Sequence, residues 1–257
     1  MVTVLGTLGL IGVAAFGPMV VHDSRETSPL GSAGARPGTF AAAPVVYERT
    51  AGDWHQWWLA YAANDQDRGI VRTGRHAGDW ELVQVRFEGD RPVEAVYAQH
   101  SGAERCPWSA VEKRGGQPVI YVANDSHASY FRPGVRDRTW PDPNDEADGR
   151  GEAVIPAVEP LGAWRDWPGR WGGARRGWVP GEMDSPRGPA FQAQGRWSDP
   201  DAWARAARPC TLDRCDEAGE CDGRETAIAF GAPLVAALAV LTLLRRRSSR
   251  HAEHREP

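Results

Sequence analysis

Between residues 45 and 207 the apolar side chains come in short runs of strand length. In residues 80–88 (WELVQVRFE) apolar and polar residues alternate. Trp80, Leu82, Val83, Val85 and Phe87 are expected on one side and Glu81, Gln84 and Arg86 mostly on the other, the period of a half-buried strand. Residues 54–63 (WHQWWLAYAA) form a dense aromatic run that reads as a buried strand. Residues 93–99 (VEAVYAQ) and 118–123 (PVIYVA) are two more strands, bounded by Gly and Pro. Residues 64–69 (NDQDRG) read as a turn, and the acidic, Pro- and Gly-rich stretch 133–153 as an exposed loop. Residues 199–207 (DPDAWARAA) carry a helix signal, with Asp199 as cap and Pro200 at the first helical position. No internal repeat is present. These features predict a mainly β fold: an antiparallel β-sandwich with long loops over residues 45–207.

The two ends of the chain are different in kind. Residues 226–244 (TAIAFGAPLVAALAVLTLL) contain no charge and match the ~20 residues that cross a bilayer as a helix. Arg245, Arg246, Arg247 and Arg250 follow, which predicts a basic cytoplasmic tail over 245–257. A second apolar run, within residues 1–22, reads as a signal peptide or an N-terminal membrane anchor. Residues 23–44, rich in Gly, Ala, Ser and Pro, read as a linker, and 208–225 as a Cys-containing stalk. This organisation puts the β-domain outside the cytoplasm, on a cell membrane. Roughly 200 residues then remain for it, enough for one buried core. The net charge of -4 gives no reason to expect a nucleic-acid partner. In an exported domain Cys106, Cys210, Cys215 and Cys221 suggest two disulfides, whose connectivity the spacing does not set. Nothing in the sequence sets an oligomeric state.

Five ionisable residues fall near the ends of the expected strands: His76, Asp79, Glu81, His100 and His127. Residues two apart on a strand share a face, so Asp79 and Glu81 point together while Trp80 points the opposite way, into the core. His76 precedes them in a Gly-containing turn and can fold back over the same face. Two carboxylates and an imidazole within six residues make a candidate site for a hard cation. Calcium or magnesium suits the carboxylates best, manganese suits them too, and zinc is the alternative if His100 and His127 join. The bland reading is that Asp79 holds turn amides, Glu81 pairs with an Arg and the histidines are structural. Ser101 and Ser126 adjoin histidines, but no G-x-S-x-G elbow is present. Twelve tryptophans are many for 257 residues. Exposed Trp can bind sugars, but the Gly and Pro around these rings favour packing of tight loops onto a sheet.

At these residues the chain resembles the vacuolar protein sorting-associated protein 62 family. The resemblance rests on His76-Ala77-Gly78-Asp79-Trp80-Glu81, Ala98-Gln99-His100-Ser101-Gly102, Tyr121-Val122-Ala123 and Ser126-His127-Ala128-Ser129-Tyr130. Trp167-Pro168-Gly169-Arg170-Trp171-Gly172, Ser185-Pro186-Arg187-Gly188-Pro189 and Arg196-Trp197-x-x-Pro200 continue it, over roughly residues 54–203. A weaker likeness is to the Nep1-like necrosis-inducing proteins, whose hallmark Gly-His-x-His-Asp-Trp-Glu lies in a cation-binding β-sandwich. Here His76, Asp79, Trp80 and Glu81 match it, Gly78 replaces the second His, and the preceding stretch with Asp65 and Asp67 resembles the approach to the motif. That likeness implies a divalent cation at Asp79 and Glu81, and the lost His speaks against toxin activity. Three functions follow as expectations. The first is a domain binding a divalent cation and, through it, a glycan or lipid headgroup of the envelope. The second is a metal-dependent hydrolase, and the third a structural envelope protein without metal.

Overall fold

In the computed structural model, residues 19–22, 30–33, 40–41, 44–66, 73–136, 138, 144–174, 183–210 and 242 are described. The strands are β1 Val20–His22, β2 Leu30–Ala33, β3 Phe40–Ala41, β4 Val45–Ala51, β5 Trp54–Gln66, β6 Thr73–Glu88, β7 Arg91–Gln99 and β8 Gly102–Pro107. They continue with β9 Lys113–Arg114, β10 Gln117–Val122, β11 Ser129–Tyr130, β12 Gly134–Arg136, β13 Asp145–Ala147, β14 Ala153–Val154, β15 Ala157–Pro160 and β16 Arg208–Pro209. Helix α1 spans Pro200–Ala206.

β4 to β8 form an antiparallel meander. The two-residue connections Gly52-Asp53 and Gly89-Asp90 place Gly at the first loop position, with φ near +60° in both. That is the chemistry a tight hairpin needs. The meander is the centre of a nine-stranded sheet, and β1, β9, β10, β11 and β14 make a second, five-stranded one. Side chains from both sheets fill the space between them, including Trp57, Leu59, Tyr61, Val83, Val85, Tyr97, Ile120 and Phe131. The outer face of the large sheet is buried too. Trp58, Ala60, Trp80, Leu82 and Val96 pack beneath Trp164, Trp167, Trp171, Trp197 and Trp203. Trp80 stacks on Trp164 (centroids 5.4 Å apart) and meets Trp171 edge-on at 5.2 Å. The tryptophans therefore act as a third layer.

Several expectations are corrected. β6 is a two-faced buried strand, not a half-buried one: Trp80 and Leu82 go outward under the tryptophans, while Val83 and Val85 go inward. The sandwich is mixed, not purely antiparallel, because β1, β15 and β16 pair in parallel with β10, β4 and β8. Each reaches its partner through a long connection, which a parallel pair requires. The end of the apolar run within 1–22 belongs to the fold: Met19 and Val21 are buried in the core and β1 lies between β10 and β14. A strand paired on both sides tolerates a continuous apolar sequence. The linker over 23–44 contains β2 and β3. β4 begins its pairing opposite Leu59, which leaves Ala60 and Tyr61 for β2. The turn over 64–69 starts later, since β5 runs to Gln66. The loop over 133–153 holds β12, β13 and β14, with Asp145 and Ala147 buried.

α1 forms as expected, with the Asp199 carboxylate accepting from the Ala202 amide at 2.9 Å and Pro at its start. Cys106 is bonded to Cys210, so the first residues of the expected stalk close the domain against β8. Cys215, Cys221, the run 226–244 except Thr242, and the tail 245–257 lie outside the described residues. Among the described residues no helix is long and apolar enough to cross a membrane.

Candidate functional site

β6 outruns β7. Its pairing with β7 begins at Val83 opposite Tyr97, while its pairing with β5 continues back to Thr73. From Glu81 toward Thr73 one edge of β6 therefore opens onto a cleft of about 470 Å³. Asp79, Glu81 and His76 line it from β6, His100 and Ser101 from the turn after β7, and Arg196 from the chain crossing above. Gly78 makes this geometry possible. Its φ is +68°, and a Cβ there would lie 2.1 Å from the carbonyl oxygen of Trp171. The Gly in place of the second His of the Nep1-like motif is thus demanded by the backbone.

The carboxylates of the cleft are held differently. Asp79 accepts the Trp80 amide at 3.0 Å on Oδ1 and His127 Nδ1 at 2.9 Å on Oδ2. His127 is fully buried and stacks on Tyr61, with centroids 3.9 Å apart. Burial alone would raise the Asp79 carboxyl, but His127, His76 and the Trp80 amide outweigh it and hold it below the ordinary value. Glu81 goes the other way. Burial and the nearby Asp79 charge push its carboxyl well above the ordinary value, with Arg196 only partly opposing them. Glu81 Oε2 is buried and has no hydrogen-bond partner among the described residues.

A third carboxylate, Asp145, lies behind the cleft. Asp145 accepts His100 Nε2 at 2.6 Å and the hydroxyls of Tyr130 at 2.6 Å and Ser126 at 2.7 Å. These donors, His100 foremost, overcome burial and keep its carboxyl low. His76 donates from Nδ1 to the Gly78 carbonyl at 2.7 Å. One ring nitrogen of each of His76 and His100 is therefore fixed by a protein acceptor, which sets the orientation of the ring. His100 and His127 have φ values of 53° and 56°, in the left-handed region that non-Gly residues rarely occupy. Such strain clusters at sites that the surrounding structure over-determines.

Four of the five expected residues, His76, Asp79, Glu81 and His100, line one cleft, and His127 supports Asp79 from behind. They do not meet at a point: among the described residues no group of three or more His, Cys, Asp or Glu side chains is arranged to hold a metal ion. Ser126 is bonded to Asp145, not to a histidine, which leaves a Ser nucleophile there without support. Asp65 does not line this part of the cleft, and Asp67 lies outside the described residues. The residues missed by sequence were Asp145, hidden in an acidic loop, and Arg196, whose guanidinium donates to the His100 carbonyl. The only signal for Arg196 was the Arg196-Trp197-x-x-Pro200 pattern.

The model of the vacuolar protein sorting-associated protein 62 family matches residues 66–138. That stretch holds all five residues. A sequence comparison with curated proteins gave no match. The structural neighbours are Nep1-like necrosis-inducing proteins. One, described as a toxin fold for microbial attack and plant defence, is 15% identical with a TM-score of 0.37, over 58% of this chain and 72% of that one. NLPPya in complex with mannosamine is 15% identical with a TM-score of 0.36, over 60% and 76%. Necrosis and ethylene inducing protein 2, from the causal agent of witches' broom disease of cocoa, is 16% identical with a TM-score of 0.34, over 61% and 77%. Values this low leave the functional argument to this chain's own residues. The resemblance to the vacuolar protein sorting-associated protein 62 family read from the sequence stands over residues 66–138, the segment that builds the cleft.

Proposed function

We propose that this chain is a membrane-anchored, extracytoplasmic β-domain whose cleft binds a divalent cation and, with it, a polar envelope ligand such as a glycan or lipid headgroup. The observation that carries the reading is Glu81. Its Oε2 is buried, without a partner among the described residues, beside the Asp79 carboxylate at an open cleft. An unpaired buried carboxylate costs several kcal/mol, and a cation relieves that cost. Asp79 and Glu81 would hold the ion. With two carboxylates the donor set suits magnesium, which keeps most of its waters, better than calcium, which takes 6–8 oxygens. Manganese or zinc would call on His76 or His100. The bound ion would supply a positive centre for the ligand's oxygens. His127 would keep Asp79 oriented, and Asp145 would fix the ring of His100.

The outside location draws support from the Cys106–Cys210 bond, since disulfides persist in oxidising compartments. The anchor rests on the uncharged run 226–244 and the arginines after it. A reporter fused after Pro257 is expected to be active only in the cytoplasm, and activity outside would refute this orientation.

A second reading, a hydrolase at the envelope, is favoured by one feature. Two neighbouring carboxyls are pushed apart, Asp79 down and Glu81 up, the pattern of an acid–base pair. Turnover of esters, phosphodiesters or glycosides by the wild type but not by Glu81→Gln would select it. The cation reading is tested by metal analysis of the purified full-length protein. It expects a divalent ion in the wild type, or a rise in melting temperature on adding one, and neither in Asp79→Ala. No metal and no shift with calcium, magnesium, manganese or zinc would leave the cluster a hydrogen-bonded scaffold.

A further inference from the structure

The cleft has a second lobe. About 400 Å³ on the other side of His76 is lined by Asn64, Asp65, Arg75, Met183 and Ser185, among others. Asn64, His76 and Met183 line both lobes, so the two form one groove. The Met183 amide donates to the Arg75 carbonyl at 2.8 Å, which fastens Met183 across the edge of β6. Its side chain is 57% exposed, an apolar saddle between two polar lobes. Each lobe falls in the range of small-ligand sites, ~300–1,000 Å³.

The second lobe has its own unanswered acceptors. Asn64 is only 7% exposed, and its Oδ1 is buried without a partner among the described residues. Asp65 Oδ1 is likewise buried and unpartnered, while Oδ2 lies 3.5 Å from Arg75 Nε. These are neighbours on β5, where strand alternation would send them apart. The pairing with β6 slips between Asn64 and Gln66, and Asn64 and Asp65 both line this lobe. Two buried acceptor oxygens call for donors from a ligand. The half-exposed guanidinium of Arg75 adds a donor beside them. A sugar ring offers hydroxyl donors and acceptors at its rim and an apolar C–H face for Met183. A monosaccharide can answer the groups of one lobe, and only a longer chain those of both.

We propose that the groove takes an extended glycan of at least two sugar residues, one beside Asp79 and Glu81 and the next on Asn64, Asp65 and Arg75. This rests on the reading of the first lobe as a ligand cleft. The same chemistry can come from a free oligosaccharide or from a glycolipid headgroup.

The test is binding of the full-length protein, with magnesium present, to an array of defined glycans of one to several residues. Glycans of two or more residues are expected to bind about tenfold better than monosaccharides, the effect of one or two added hydrogen bonds. Asp65→Asn combined with Arg75→Ala is expected to bring the longer glycans down to the monosaccharide level, and Glu81→Gln to remove binding at every length. Equal binding of short and long glycans, or a length preference that survives the double variant, overturns the second lobe and leaves the first-lobe reading standing. Failure to bind any glycan overturns both. The best array glycan is then offered free and on vesicles carrying it as a glycolipid. Preference for either source supports the proposal and names the source.

Discussion

Asp145 and Glu81 are carboxylates buried to nearly the same degree, 2% and 4% exposed, and the chain treats them in opposite ways. Asp145 is met by His100, Tyr130 and Ser126, and its carboxyl stays low. Glu81 keeps an oxygen with no partner among the described residues, and its carboxyl is pushed up. Burial alone therefore does not mark a functional acid. A carboxylate whose acceptors are answered by its own chain holds the fold together. On the proposed reading, one left bare at an open cleft is placed for something the chain does not supply.

The contrast can be broken at several strengths. Asp145→Ala leaves three buried or half-buried donors without an acceptor and is expected to cost about 3–5 kcal/mol. Its loss of melting temperature should be the same with and without added magnesium. If magnesium rescues it, Asp145 belongs to the cation site and the division is wrong. Cys106→Ser opens the link to Cys210 and is expected to cost about 2–4 kcal/mol by denaturant unfolding. Gly78→Ala, forced to φ +68° against the Trp171 carbonyl, is expected to cost about 1–3 kcal/mol and to weaken the cation response, since it displaces β6 next to Asp79. Glu81→Gln has the opposite sign. In metal-free protein near neutral pH it is expected to raise stability, seen as a higher denaturant midpoint, because the buried carboxyl no longer has to be ionised or kept protonated.

The pH profiles sharpen the same division. The folded carboxyls of Asp145 and Asp79 lie below the ordinary 3.8. Their contribution is present above 3.8 and is lost as pH falls through their lower folded values. Glu81 in the fold keeps its proton where the unfolded chain, at the ordinary 4.5, has released it. Stability therefore drains as pH rises from 4.5 toward its raised folded value. In metal-free unfolding curves Glu81→Gln should remove that drain, and Asp145→Asn should reduce the acid-side loss. A drain that persists in Glu81→Gln would assign it to another group.

Much of this was legible in the sequence, for identifiable reasons. β5, β6, β7 and β10 were visible because their apolar runs are long, and α1 because Asp199 and Pro200 mark its start. Asp79 and Glu81 share a face because a strand repeats every two residues. The two-faced burial of β6 was not visible, because the tryptophans that cover it arrive from distant residues 164–203, outside any strand, with only Trp203 on α1. β1 was hidden by the apolar run that it ends, and β2 by the Gly and Ala around it. Asp145 was unreadable for another reason. Its meaning comes from His100, Ser126 and Tyr130, which reach it across the fold.

The central claim is that Glu81 is bare because a cation completes it. Isothermal titration of the metal-stripped full-length protein with magnesium, and then with calcium, tests it most directly. The account predicts saturable binding of about one ion per chain in the wild type and none in Glu81→Gln or Asp79→Asn. Equal binding in wild type and Glu81→Gln, or no binding in either, would contradict it.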